Sequence, residues 1–230
     1  MIGKTPQNFS SIALLIGEPA RATMLWEILD GGVHSATELA IAADLSAQNT
    51  SMHLGKLVNA GLLSVTKKGR VKYYQFAHPN VAYAMEAIST LMPKDNPPPA
   101  GRVSNGSQIK YCRTCYDHLA GKVGVAITDK LLSKKIIEVK NNDFVISKRG
   151  VKWFNELEIS IEELQRKKRV LTRKCLDWSE RRPHMAGAVG AAFADKLFDL
   201  KWLQRSKGSR MVSVTPLGQK KIYDLLGVMV

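Results

Sequence analysis

No stretch of the chain approaches 18 consecutive apolar residues, so nothing in it reads as a membrane-spanning helix. The opening Met1-Ile2-Gly3-Lys4-Thr5 lacks the apolar centre and small-residue cleavage pattern of a secretion signal. The expectation is a cytoplasmic protein with no membrane partner. Cysteine is scarce and odd in number, at Cys112, Cys115 and Cys175, which argues against a disulfide framework and leaves reduced thiols, a metal or plain burial. Also missing are a phosphate-cradling Gly-x-x-x-x-Gly-Lys loop, a metalloprotease His-Glu-x-x-His and a paired nucleophile and base, so the chain is not expected to be an enzyme. Acidic residues are outnumbered, 20 against 34 basic, for a formal charge of +14. An excess of that size favours a polyanionic partner, nucleic acid first.

What is present suffices for two modest cores: 230 residues, 45% of them hydrophobic. The charge is uneven. Residues 1–92 hold seven lysines and arginines against six acids, whereas residues 93–230 hold 27 against 14, so nearly all the excess lies in the later part. Between the two, 93–108 concentrates proline, glycine and small polar residues, as in Asn96-Pro97-Pro98-Pro99-Ala100-Gly101, and reads as a linker. The expected domains are therefore 1–92 and 109–230.

Within 1–92, short apolar stretches predict helices over 9–16 and 19–29. Ser35-Ala36-Thr37-Glu38 has capping-box spacing and opens a helix to Ala43. Ser46 can cap a longer helix over 47–60, ended by Gly61, with Met52, Leu54, Leu57 and Val58 on its buried side. Segments 62–66 and 71–76 alternate as strands around Lys67-Lys68-Gly69-Arg70, and 79–91 closes the domain as a helix. Helix, turn, helix and basic-tipped hairpin can read DNA, because a helix fits the major groove while the hairpin lies along the backbone. Gln48, Asn49, Ser51 and Met52 occupy the first turns, where side chains reach base edges; Ser46, His53 and Lys56 are candidates for phosphate. Lys67, Lys68, Arg70 and Lys72 would add backbone affinity without sequence preference.

The run Leu45-Ser46-Ala47-Gln48-Asn49-Thr50-Ser51-Met52-His53-Leu54-Gly55-Lys56-Leu57, followed by Ala60-Gly61-Leu62-Leu63, resembles the recognition-helix pattern of the ArsR/SmtB winged helix-turn-helix repressors. The resemblance covers about residues 9–92. Further on, Cys112-Arg113-Thr114-Cys115-Tyr116-Asp117-His118 and the stretch from Cys175 to His184 look like a long-chain branch with a C-terminal sensing domain. The resemblance implies a homodimeric repressor on double-stranded operator DNA, its affinity modulated by a small-molecule or metal inducer. It also implies dimerisation through terminal helices, for which 9–16 and 79–91, with Val81, Met85 and Ile88 on one face, are the candidates. The family's usual metal positions are unsupported here: Ser35-Ala36-Thr37 stand where a cysteine pair would, and the last helix offers only His78 and Glu86.

The second domain carries an internal repeat. Residues 118–131 align with 184–197 at an offset of 66, with nine of 14 positions identical. Each copy continues into a strand pair, a hydroxyl residue three before glycine (Ser147 and Gly150, Thr215 and Gly218) and a helix. The expected fold class is thus mainly α with small β-hairpins: a winged helix-turn-helix, then two winged-helix-like repeats at about 112–157 and 178–226.

Three readings stand for the cysteines. On a helix, the spacing Cys112-x-x-Cys115-x-x-His118 would align the three side chains for a soft divalent ion such as cadmium, lead or zinc, with Cys175 as a further ligand. The thiols could instead be a redox switch activated by Arg113, or inert. At the offset of 66, Cys112 and Cys115 fall opposite Trp178 and Arg181, while His118 falls opposite His184, which makes the histidine look architectural. Asp177, Trp178, Arg181 and His184 form a candidate pocket for an acidic or aromatic ligand. The run Arg166-Lys167-Lys168-Arg169 with Arg173-Lys174 is a solvated face, a second DNA contact or part of a basic RNA- or protein-binding module.

Overall fold

Local capping chemistry sets most helix starts in the first part of the chain. The computed structural model describes residues 7–29, 31–92, 106–207 and 209–230. It divides into two compact units, 1–106 and 107–230. The first runs α1 (Gln7–Gly17), α2 (Pro19–Ile28), β1 (His34–Ser35), α3 (Ala36–Ala43), α4 (Ala47–Asn59), β2 (Leu63–Lys68), β3 (Val71–Phe76) and α5 (Pro79–Ser89). Pro19 sits in the first turn of α2, where a missing N–H costs little, and the Glu18 carboxylate accepts from the N–H groups of Ala20 and Arg21. Ser35 and Glu38 form the reciprocal capping box of α3. Asp44, at φ +51°, turns the chain, and Ser46 then caps α4 by accepting from Asn49.

Met24, Leu25 and Ile28 of α2, Leu39 of α3, Leu54 and Leu57 of α4 and Leu63 of β2 are the core of this unit. The buried stripe of α4 is Thr50, Leu54 and Leu57, at helical spacing. Met52, expected inside, is 49% exposed, and Val58 is only partly buried. Thr50 can occupy the inward position because its hydroxyl donates to the Ser46 carbonyl at 2.8 Å, leaving no unsatisfied polar atom. The antiparallel sheet has the order β1-β3-β2. Gly69, at φ +61°, takes the first position of the two-residue turn that joins β2 to β3 and sets Lys67 opposite Lys72.

The linker expected over 93–108 falls largely outside the described residues, and its last three residues belong instead to α6 (Gly106–Tyr111). There follow β4 (Arg113–Cys115), β5 (His118–Ala120), α7 (Gly121–Ser133), β6 (Ile137–Lys140), β7 (Asp143–Ile146), α8 (Lys148–Glu156) and α9 (Ile161–Gln165). The second copy runs β8 (Arg173–Leu176), β9 (Pro183–Ala186), α10 (Gly187–Asp199), β10 (Leu203–Arg205), β11 (Val212–Val214) and α11 (Pro216–Leu226). Each copy is hairpin, helix, hairpin, helix. The opening hairpin differs from the helix over 112–118 that the metal-ligand reading of the cysteine spacing requires. Gly121 and Gly187 explain the difference: both adopt positive φ, +77° and +89°, and a Cβ at either would lie within 2.8 Å of a backbone carbonyl, of Lys110 or Leu171 respectively. The helices therefore start after the histidines.

Ser147 and Thr215 cap α8 and α11, accepting from Gly150 and Gly218 while donating back to Lys135 and Lys201. The core of this unit joins Val123, Ile127 and Leu131 of α7 to Val189, Phe193 and Leu197 of α10, with Phe154 edge-on to Phe193. Among the described residues no helix is long and apolar enough to cross a membrane.

Candidate nucleic-acid interface and candidate metal centre

Because Thr50, Leu54 and Leu57 turn α4 inward, its opposite face presents Gln48, Asn49, Ser51, Met52 and Lys56 to solvent. Ser46 is also exposed, its hydroxyl engaged by the Asn49 N–H at 3.3 Å. On the wing Lys67, Lys68, Arg70 and Lys72 are all exposed. Like charges directly opposed in a sheet, as Lys67 and Lys72 are, disfavour the isolated pairing, and an external polyanion relieves that repulsion.

His53 corrects the sequence expectation of a phosphate contact. Its Nδ1 lies 3.3 Å from both Arg21 Nη1 and Glu18 Oε2, with little of the ring exposed. Arg21, which the sequence reading passed over, is nearly buried: its Nε and Nη2 donate to the Leu15 and Leu14 carbonyls at 2.7 and 3.1 Å, closing the end of α1. Burial works to raise the Glu18 carboxyl, but the Arg21 and Ala20 N–H groups, with His53 and the Arg21 charge, hold it below its ordinary value. The trio ties α1, α2 and α4 together and fixes how α4 stands.

In the second unit the hairpins, not a helix face, gather the thiols and imidazoles. Cys115 pairs with His118 across β4 and β5, and Cys175 pairs with His184 across β8 and β9. Arg113 faces Ala120, and Arg173 faces Ala186, in the same register. Cys115 is therefore the counterpart of Cys175 at an offset of 60, and only beyond a longer second turn does the offset become 66. The Sγ atoms of Cys115 and Cys175 are 3.9 Å apart, and the Nε2 atoms of His118 and His184 are 3.1 Å apart. Cys115, His118 and His184 are buried and Cys175 partly so.

Cys112, expected beside them, is a core residue packed with Leu119 and Val123. Burial pushes its thiol up to about 12, outweighing the opposing influence of Arg113, so this sulfur stays protonated and unreactive at neutral pH.

The candidate ligand pocket around Trp178 is filled from within. Arg113, wholly buried, lies 4.9 Å from the Trp178 ring centre and pairs with Asp177 at 2.9 Å. Asp177 further accepts from the N–H of Gly121 at 2.6 Å, of Ser179 at 2.9 Å and of Glu180 at 3.0 Å, and from the Ser179 hydroxyl at 2.7 Å. Burial would raise its carboxyl, yet His184, Arg113 and Ser179 hold it far below the usual carboxylate range. A carboxylate so saturated has no place for an added ligand; it organises the turn between β8 and β9. Arg181, at φ +55° within that turn, donates its N–H to the Asp177 carbonyl. Of the basic run, Arg169 is committed to Asp117 through two hydrogen bonds of 2.6 and 3.1 Å.

The first unit thus has the architecture of a winged helix-turn-helix DNA-binding regulator. Residues 16–66 match the family model described as a helix-turn-helix domain. The uncharacterized HTH-type transcriptional regulator YdfF of Bacillus subtilis (strain 168) is 35% identical over 212 residues, spanning 92% of this chain and 94% of that relative. The chain belongs to the HTH-type transcriptional regulators. Among solved structures it is similar to HlyU from Vibrio cholerae N16961, at 23% identity and a TM-score of 0.35, over 39% of this chain and 97% of that one. It is also similar to the homodimeric winged helix-turn-helix DNA-binding domain Mb0332 from Mycobacterium bovis, at 20% identity and a TM-score of 0.34, over 40% of this chain and 89% of that one.

Proposed function

We propose that the chain is a homodimeric, sequence-specific repressor of the ArsR type, which reads duplex DNA with α4 and answers a signal at its second unit. The observation that carries the reading is the exposed polar face of α4, Gln48, Asn49 and Ser51 in its first turns, beside a wing whose four cations all face solvent. Gln and Asn can each bond adenine at two atoms in the major groove, whereas wing lysines meet phosphate. Gel shifts test it: the full chain retards duplex DNA carrying its operator in preference to RNA of equal length. The variant Gln48→Ala/Asn49→Ala loses that preference for operator. A chain that favours RNA would be a basic RNA-binding module instead.

Dimerisation has its own support. Leu14 of α1 is 75% exposed and Leu91, just past α5, is 83% exposed, with Phe9 and Ile88 also open to solvent. Met85, by contrast, is buried within its own unit. Large apolar side chains left in water on the two terminal helices are what a self-complementary interface would cover. Light scattering at micromolar concentration is expected to give twice the chain mass, and Leu14→Glu/Leu91→Glu to give the monomer. A monomeric wild type would remove the dimer from the account.

A further inference from the structure

Each half of the repeat brings one cysteine and one histidine side by side on a short hairpin, and the two hairpins turn these pairs toward each other. The four ligand atoms, two Sγ and two imidazole nitrogens, all lie within 4.8 Å of one another. We infer that Cys115, His118, Cys175 and His184 form a zinc site, a tetrahedral Cys2His2 centre shared between the two halves of the second unit.

The distances fit. With zinc–sulfur and zinc–nitrogen bonds of about 2.3 and 2.0 Å, neighbouring ligand atoms in a tetrahedron are roughly 3.3–3.8 Å apart. The observed 3.9 Å between sulfurs and 3.1 Å between Nε2 atoms bracket that range, so small side-chain movements complete the geometry.

The surroundings of the imidazoles point the same way. His118 Nδ1 is 3.4 Å from Asp117 Oδ1, and His184 Nδ1 is 3.3 Å from Asp177 Oδ2, a charge contact rather than a well-aligned hydrogen bond. A carboxylate behind Nδ1 favours the tautomer with its proton there, which leaves Nε2 as a lone pair and a ligand. Both aspartates are themselves fixed by arginines, Asp117 by Arg169 and Asp177 by Arg113. With a proton on each Nδ1, the two Nε2 lone pairs face each other across 3.1 Å in a buried place, an arrangement that a cation between them stabilises.

Charge selects a divalent ion. Two thiolates and two neutral imidazoles cancel a divalent charge, giving a neutral centre suited to burial; a monovalent soft ion would leave a net negative one. A Cys115–Cys175 disulfide is the competing use of the sulfurs. It would require them to close to about 2.05 Å and would leave the paired histidines unaccounted for. Zinc accounts for all four residues and for their recurrence in both copies. Because its ligands come from hairpins some sixty residues apart, the ion would clamp one half of the repeat to the other, releasing two thiol protons as it binds.

The full chain, purified under reducing conditions without chelator, is expected to carry one zinc per chain by mass spectrometry of its metals. Replacing zinc with cobalt should give the intense visible bands of a tetrahedral site and a thiolate-to-cobalt charge-transfer band. Cys115→Ser/Cys175→Ser should lose both signals, while Cys112→Ala, altered in the core outside the four ligands, should keep them. The proposal is overturned if reduced wild type takes up no stoichiometric zinc, if its cobalt spectrum lacks thiolate charge transfer, or if the double variant leaves that spectrum unchanged. The wild-type readouts decide even should a variant misfold. None of them involves DNA, so failure of the repressor reading would leave this result standing.

Discussion

Replacing Arg113 with methionine is expected to destabilise the second unit by about 3–5 kcal/mol, the cost of leaving a buried carboxylate without its counter-charge. Arg113 and Asp177 are both fully buried, and the guanidinium also donates to the Ile109 carbonyl and the Ser179 hydroxyl while lying over Trp178. Methionine fills comparable volume but removes the charge and all of those donors. Arg113→Lys keeps the charge without the planar fork and should fall between the two. Urea unfolding of the full chain, followed by tryptophan fluorescence, reads the difference, since Trp153, Trp178 and Trp202 all lie in this unit. A loss below about 1 kcal/mol, the range of exposed ion pairs, would mean that water reaches Asp177 in solution.

The second large effect concerns DNA. A bidentate contact from Gln or Asn to adenine is worth about 1–3 kcal/mol of discrimination, so Gln48→Ala/Asn49→Ala should lower operator affinity by about 2–6 kcal/mol and leave non-specific binding almost unchanged. Both residues are exposed and neither supports the core, so the variant should keep the wild-type melting temperature. Lys67→Ala/Lys72→Ala should behave oppositely. It should weaken binding to all duplexes alike and make the dependence of log affinity on log salt shallower by about 1.8, at roughly 0.9 per phosphate neutralised. Equal loss of specific and non-specific affinity in the α4 variant would place base reading elsewhere.

The two predictions draw on features of unequal legibility. Helix starts at Ser35, Ser46, Ser147 and Thr215 could be read from the chain because capping is settled within three residues. His53 could not: its partner Arg21 is 32 residues away, and nothing local marks an imidazole on a polar helix as facing inward. Thr50, rather than the expected Met52, faces inward because a hydroxyl that donates to its own helix buries cheaply, a saving that a hydrophobic pattern does not register.

The cysteine and histidine cluster was half visible. A three-residue spacing aligns side chains on a helix, but a two-residue turn between strands also sets residues 115 and 118 side by side, and the positive φ of Gly121 decides for the hairpin. The link from Cys115 to Cys175 was hidden because the second hairpin's turn is longer, so a comparison at constant offset set Cys115 against Arg181. Each His-x-Ala-Gly, His118 to Gly121 and His184 to Gly187, with the nearest preceding cysteine would have marked both pairs. The buried Arg113 had no local signal, and the space beside Trp178 that seemed open to a ligand is where it lies.

The most direct measurement is selection of bound sequences from a random duplex library by the protein. The account predicts enrichment of an inverted repeat whose half-site centres are about 10 base pairs, or a multiple, apart, with that enrichment abolished by Gln48→Ala/Asn49→Ala. Recovery of duplexes with no common sequence, or of the same repeat by the variant, would contradict the assignment of α4 as the reading helix.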